Sequence, residues 1–184
     1  KPSNILVKGD GTVKLLDFGI AKQLDEYSPA ADMTRTGLRL MTPAYASPEQ
    51  MRGERAAIHT DVYSLGVVLF QLLTGRLPFD AGAGVEERKP VRPSMVARRV
   101  SGQGAGGQGA GRQGASEAEW GDLDVLCLTA MHQDVGKRYA SVEALVRDCD
   151  HYLRGEPLEA RADTWGYRLG KFVGRHRGLV AAGV

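Results

Sequence analysis

The opening stretch, KPSNILVKGDGTVKLLDFG, carries two oxygen-donor side chains, Asn4 and Asp17, equally far from the centre of Asp10-Gly11. Asp-Gly between short apolar runs is a strong hairpin signal, because a type I′ turn needs positive φ at both central residues. Strands are expected at 5–7 and 13–16. A two-residue turn at Asp10-Gly11 would pair Val7 with Lys14, Ile5 with Leu16 and Asn4 with Asp17, with partners about 5 Å apart. An amide oxygen and a carboxylate at that separation suit a hard cation. Mg²⁺ takes oxygen ligands and typically one or two protein groups beside phosphate oxygens. A plainer reading is also open, in which Asn4 caps a turn and Asp17 begins a loop.

The elements that would position this pair are mostly helical. The chain has 184 residues, 42% hydrophobic and 25% charged, which suits about one soluble domain. A net charge of +2 is too small to argue for nucleic acid. Cys127 and Cys149 are too few and too far apart for a disulfide framework or a zinc site, and each falls in a helical pattern, as buried thiols of a reducing compartment would. Residues 20–58 show no sustained period, and a connection of that length is usually functional or disordered. A helix is expected from Thr60 to Thr74, capped by Thr60 and closed by Gly75. Its apolar residues cover most of the circumference, so it should be the buried central post. Further helices are expected at Asp122–Gln133 and Ser141–Arg154, the second with a stripe of Val142, Leu145, Val146, Cys149, Tyr152 and Leu153. Residues 101–116 hold seven glycines in a near-repeat and have almost nothing to bury, which describes a flexible insert. Gly102–Gly107 satisfies G-x-G-x-x-G, but no strand precedes it, so the match is linker rather than a nucleotide loop.

Several motifs occur together in a recognisable order. Lys1-Pro2-Ser3-Asn4 resembles the end of the protein-kinase catalytic loop, and Asp17-Phe18-Gly19 resembles its metal-binding D-F-G. Thr42-Pro-Ala-Tyr-Ala-Ser-Pro-Glu49 is similar to the P+1 loop and A-P-E box, with Ser47 in place of Ala. Asp61-Val-Tyr-Ser-Leu-Gly66 resembles the start of the family's central helix, and Gly136-Lys-Arg138-Tyr its late Arg region. The chain thus resembles a eukaryotic-type serine/threonine protein kinase of the bacterial, membrane-anchored style. The resemblance covers about residues 1–155, the C-terminal lobe. The implied fold is mainly α with a small β-hairpin, the N-terminal lobe being absent.

The resemblance implies roles residue by residue. Asn4 and Asp17 would be metal ligands, and with Lys1 they would hold ATP through its phosphates and Mg²⁺ (or Mn²⁺). Lys1 would neutralise the γ-phosphate during transfer and favour Ser/Thr acceptors. Thr42 would shape the acceptor site. Residues 17–49 would form the activation segment, with Thr34 and Thr36 as phosphorylation sites between Arg35 and Arg39. Glu49 and Arg138 would form a buried ion pair, and Asp61 would accept hydrogen bonds from the catalytic-loop backbone. Met41 replaces the Gly usual before the P+1 Thr. Few residues separate Phe79 from Arg92, so the helix usual there should be shortened or lost.

The resemblance also implies what lies outside the chain. The catalytic Asp would stand two residues before Lys1, so this polypeptide alone should be inactive and should expose apolar surface where the other lobe would pack. Basic residues within 156–177 followed by apolar 178–184 look like a juxtamembrane segment entering a truncated transmembrane helix, which would place the kinase on the cytoplasmic side. Implied partners are protein substrates carrying Ser or Thr, a second copy for trans-autophosphorylation and the membrane, with no nucleic acid. The alternative function is a pseudokinase or scaffold. The retention of Asn4 and Asp17 argues against it.

Overall fold

The computed structural model describes residues 1–16, 43–55, 57–79, 84, 88–102, 116–162 and 164–175. Within them lie a two-stranded sheet, β1 (Ile5–Val7) and β2 (Val13–Leu15), and six helices. These are α1 (Pro48–Met51), α2 (Ile58–Thr74), α3 (Pro93–Gly102), α4 (Glu117–Ala130), α5 (Val142–Arg154) and α6 (Trp165–Arg175). The architecture agrees with the expected mainly helical fold with one hairpin.

The hairpin forms, but in a different register. Ile5 pairs with Leu15, Leu6 with Lys14 and Val7 with Val13. Lys8 and Thr12 close a three-residue loop, with Gly11 N–H donating to Lys8 O at 2.9 Å. Gly11 takes φ +83°, the left-handed residue that three-residue hairpin loops need. Asp10 Oδ1 stabilises the loop by accepting from Thr12 N–H at 2.9 Å. The extra loop residue shifts the pairing by one, so Asn4 faces Leu16, whose N–H donates to Asn4 O at 2.7 Å. The expected direct pairing of Asn4 with Asp17 is therefore corrected. Asp17 is the next residue along and lies outside the described residues. The hairpin leaves Leu6, Val7, Val13, Leu15 and Leu16 exposed.

The helical body assembles around α2. Val62, Leu123, Leu126, Ala130, Tyr139 and Leu145 pack on one side of it, and Tyr63, Val67, Phe70, Cys127 and Met131 on another. The helix starts two residues earlier than expected. Thr60 is not its cap; it sits in the first turn and its hydroxyl accepts from Ala57 N–H at 3.1 Å. Gly75 ends the helix at φ +70°. Leu65 and Leu72, expected to be buried, are exposed because they fall on the outer arc.

Helix α4 begins five residues before the expected start. Ser116 and Glu119 exchange side-chain and backbone hydrogen bonds in a capping box, which fixes the start inside the stretch assigned to the Gly-rich insert. That insert's other end, Ser101-Gly102, is the last turn of α3, a helix the sequence reading did not anticipate. Helix α5 matches its expected start at Ser141 and its end at Gly155, φ +68°. Val146 and Leu153 are exposed, leaving Val142, Leu145, Cys149 and Tyr152 as the true inner stripe. Both cysteines are free thiols, and burial pushes the Cys127 thiol up.

Beyond Gly155 the chain stays on the body. Buried Asp148 accepts from Glu159 N–H at 2.6 Å, Ala160 N–H at 3.0 Å and Tyr139 Oη–H at 2.9 Å. Buried Asp122 accepts from Arg161 Nη1 at 2.6 Å and Tyr167 Oη–H at 3.0 Å, and pairs with Lys171 Nζ. Two desolvated carboxylates thus fasten residues 159–161, Tyr167 and Lys171.

Among the described glycines, Gly66 has the least room for a side chain, where α2 meets the end of α4. A Cβ there would stand 2.7 Å from Ala130 Cβ and 2.8 Å from Met131 Cγ. Gly66→Ala is expected to destabilise the chain by about 2 kcal/mol, overpacking outweighing the helix preference of Ala. A urea unfolding midpoint equal to or above wild type would contradict this contact.

Candidate functional site

The described part of the motif constellation centres on α1. Ser47 caps this one-turn helix: its Oγ accepts from Gln50 N–H at 3.3 Å, and Gln50 Oε1 accepts from Ser47 N–H at 3.1 Å. The Ser in place of Ala therefore has a local use, holding the turn that aims Glu49 inward. Glu49 meets Arg138 in a two-pronged pair, with Nη1 to Oε1 at 2.7 Å and Nη2 to Oε2 at 2.8 Å. Their side chains are 8% and 0% exposed.

A pair this deep needs every remaining donor and acceptor satisfied. Thr60 Oγ1 donates to Glu49 Oε1 at 3.1 Å. Arg138 also donates to His59 O at 3.0 Å, His132 O at 2.6 Å and Gln133 O at 3.4 Å, and lies over the Tyr63 ring at 5.0 Å. Burial alone would raise the Glu49 carboxyl. The Arg138 hydrogen bonds, together with those from its own backbone N–H and Ser47, outweigh that and hold its pKa at about 2. Burial pushes the Tyr63 phenol up to about 12, so it stays neutral beneath the guanidinium.

The segment just before α1 is tied to the same body. Tyr45 Oη–H donates to Gln71 Oε1 at 2.6 Å, and Ser64 Oγ–H donates to Tyr45 O at 2.9 Å. Buried Arg88 donates to Ala46 O at 3.0 Å and covers the Phe79 ring, which stacks in parallel with Tyr63. Residues 43–49 are thus held along their length on the helices.

Lys1 is exposed and Asn4 half-buried beside the hairpin. Asp61 is exposed in the first turn of α2, and among the described residues no hydrogen bond reaches its carboxylate. Asp17, Thr34, Thr36 and Thr42 lie outside the described residues. Among the described residues, no group of three or more His, Cys, Asp or Glu side chains is arranged to hold a metal.

Sequence reasoning missed Arg88, which stands in a stretch without period and gives no local signal. It also missed Asp122, although an acid inside the apolar run Trp120-Gly-Asp-Leu-Asp-Val-Leu126 is a legible sign of a buried partner.

Residues 1–145 match the protein kinase domain family. The chain is 37% identical over 155 residues to the probable serine/threonine-protein kinase PknB of Bifidobacterium longum, covering 84% of this chain and 20% of that protein. It is 32% identical over 166 residues to the serine/threonine-protein kinase PknB of Mycobacterium tuberculosis, covering 87% and 23%. A shorter match, 48% over 85 residues, joins it to the probable serine/threonine-protein kinase PknB of Lactococcus lactis, covering 46% and 13%. The chain thus spans less than a quarter of the length of these relatives.

The ion pair carries a pH signature. Glu49 has a lower pKa folded, about 2, than the usual 4.5, so its contribution is complete above 4.5 and fades as pH falls towards 2. At about 1.4 kcal/mol per tenfold in proton affinity, it amounts to about 3 kcal/mol. Arg138→Met should cost about 3–5 kcal/mol at neutral pH, and the gap from wild type should close between pH 4.5 and 2. A gap in denaturation free energy that is constant with pH would rule out this role for the pair.

Proposed function

This chain belongs to the protein kinase family, and on that footing we propose that it serves ATP-dependent phosphoryl transfer to Ser and Thr of proteins. The observation that carries the reading is the buried Glu49–Arg138 pair. It anchors the end of the loop that would present the acceptor, and phosphoryl transfer depends above all on positioning and electrostatics.

Asn4 and Asp17 are assigned as the protein's oxygen donors to Mg²⁺. The donor set fits: an amide and a carboxylate are hard ligands, and Asn4 is bonded through its carbonyl to Leu16, the residue before Asp17. The bound ion would supply charge compensation on the phosphate oxygens. Lys1 is assigned to the γ-phosphate, where a compact ammonium acts as a point charge. Thr42 is assigned to the acceptor side, one residue before the turn Pro43–Tyr45 that Ser64 and Gln71 hold. Thr34 and Thr36 are assigned as regulatory sites, each phosphate adding roughly −1.5 to −2 charge beside Arg35 and Arg39. Transfer between two copies would modify them.

The proposal includes a membrane. Among the described residues no helix is long and apolar enough to cross one. The basic stretch 168–177 and the apolar residues 178–184 that follow support a cytoplasmic domain held beside the bilayer.

Autophosphorylation of the full-length protein should fall about a hundredfold or more in Asp17→Ala, as for loss of a charge-stabilising group. Equal phosphorylation by variant and wild type would sink the metal assignment. ATP binding without transfer in wild type would favour the scaffold reading. Mass spectrometry of the active protein should find phosphate on Thr34 or Thr36, and an unmodified loop would remove the regulatory assignment.

A further inference from the structure

Helix α6 has two faces, and the fold uses one. Tyr167 and Lys171, one turn apart, point inward to buried Asp122, and the Arg161 guanidinium covers the Tyr167 ring at 4.3 Å. Trp165, Leu169 and Val173 repeat at four-residue spacing on the opposite side and are 92%, 61% and 38% exposed. Successive members of such a series turn by only about 40°, so the three make one apolar stripe. Arg168 is exposed along its edge. From Thr164 to Val184 the chain has Arg168, Lys171, Arg175 and Arg177 and no acidic residue.

This combination narrows the occupant. An apolar helical stripe alone would suit a protein groove. An exposed Trp beside basic residues, with no acid over the whole stretch, suits the headgroup boundary of an anionic bilayer. The orientation agrees, since the face turned away from Asp122 is the apolar one.

We propose that α6 is an interfacial helix that seats the domain on an anionic lipid surface. Trp165, Leu169 and Val173 enter the headgroup–acyl boundary, and Arg168 stands level with the lipid phosphates. Tyr167 and Lys171 remain on Asp122, so the lipid contact is rigidly joined to the helical body and sets its orientation on the membrane. This rests on the membrane reading above and deepens it, because the contact is made by a folded helix rather than by residues 178–184.

The test uses the whole chain and vesicles of phosphatidylglycerol with phosphatidylcholine, against vesicles of phosphatidylcholine alone. Flotation should show at least about tenfold stronger binding to the anionic vesicles, as expected for two or more basic residues near the surface. Tryptophan emission should shift to the blue on binding, a shift absent in Trp165→Phe, which retains only buried Trp120. Leu169→Asp with Val173→Asp, both at exposed positions, should reduce binding about tenfold or more with unchanged thermal unfolding. Leu179→Asp with Val180→Asp should leave binding in place. If the second pair alone abolishes binding, the interfacial helix is wrong while the membrane reading stands. No binding to either vesicle overturns both. Equal binding to the two vesicles overturns the anionic preference. Self-association of the chain through the stripe without lipid, lost in Leu169→Asp with Val173→Asp, would assign the face to a protein partner and overturn the proposal.

Discussion

Arg138 is a guanidinium with no solvent, and the described helical body closes around it. Its five N–H donors reach Glu49 on α1, His59 at the start of α2, and the carbonyls of His132 and Gln133 after α4, while its flat face lies on Tyr63. A buried cation tolerates no vacancy, because each unmet donor costs the desolvation of a charged group. The chain can therefore bury Arg138 only when those segments have all arrived. The same contact satisfies the carbonyls of the two residues just past the C-cap of α4, which have no helical partner.

The rule repeats at lower stakes elsewhere. Asp122 and Asp148 are both fully buried, and each gathers donors from the segment after Gly155. Apolar residues in their place could give comparable stability with less specificity of position. As built, charge pairing chooses the geometry and the apolar core supplies most of the driving force. The end of residues 43–49 shows that division: Ser47 caps α1, and Arg138 clasps the Glu49 carboxylate, so this end of the segment does not drift.

Local signals were read correctly where one physical cause acted within a few residues. Ser141 and Gly155 bound α5 because a hydroxyl cap and a left-handed glycine are local devices. The apolar circumference of α2 identified the central helix for the same reason. Errors came where two local solutions differ by little. Asp10-Gly11 can form a two-residue or a three-residue loop, and the choice of the second moved every pairing by one. Thr60 can cap a helix or lie in its first turn, and the second wins because its hydroxyl also serves Glu49. Ser116 was hidden by its glycine-rich neighbours, although Glu119 three residues on marked a capping box.

By itself the sequence determined the family, the mainly helical class and the candidates for the site, since motif residues and their order do not depend on coordinates. It also paired Glu49 with Arg138 by resemblance, 89 residues apart. Tertiary structure alone decided the hairpin register, the place of Arg88 and the attachment of α6 to Asp122. Those depend on which groups become desolvated together, and desolvation is a property of the packed whole rather than of any stretch of chain.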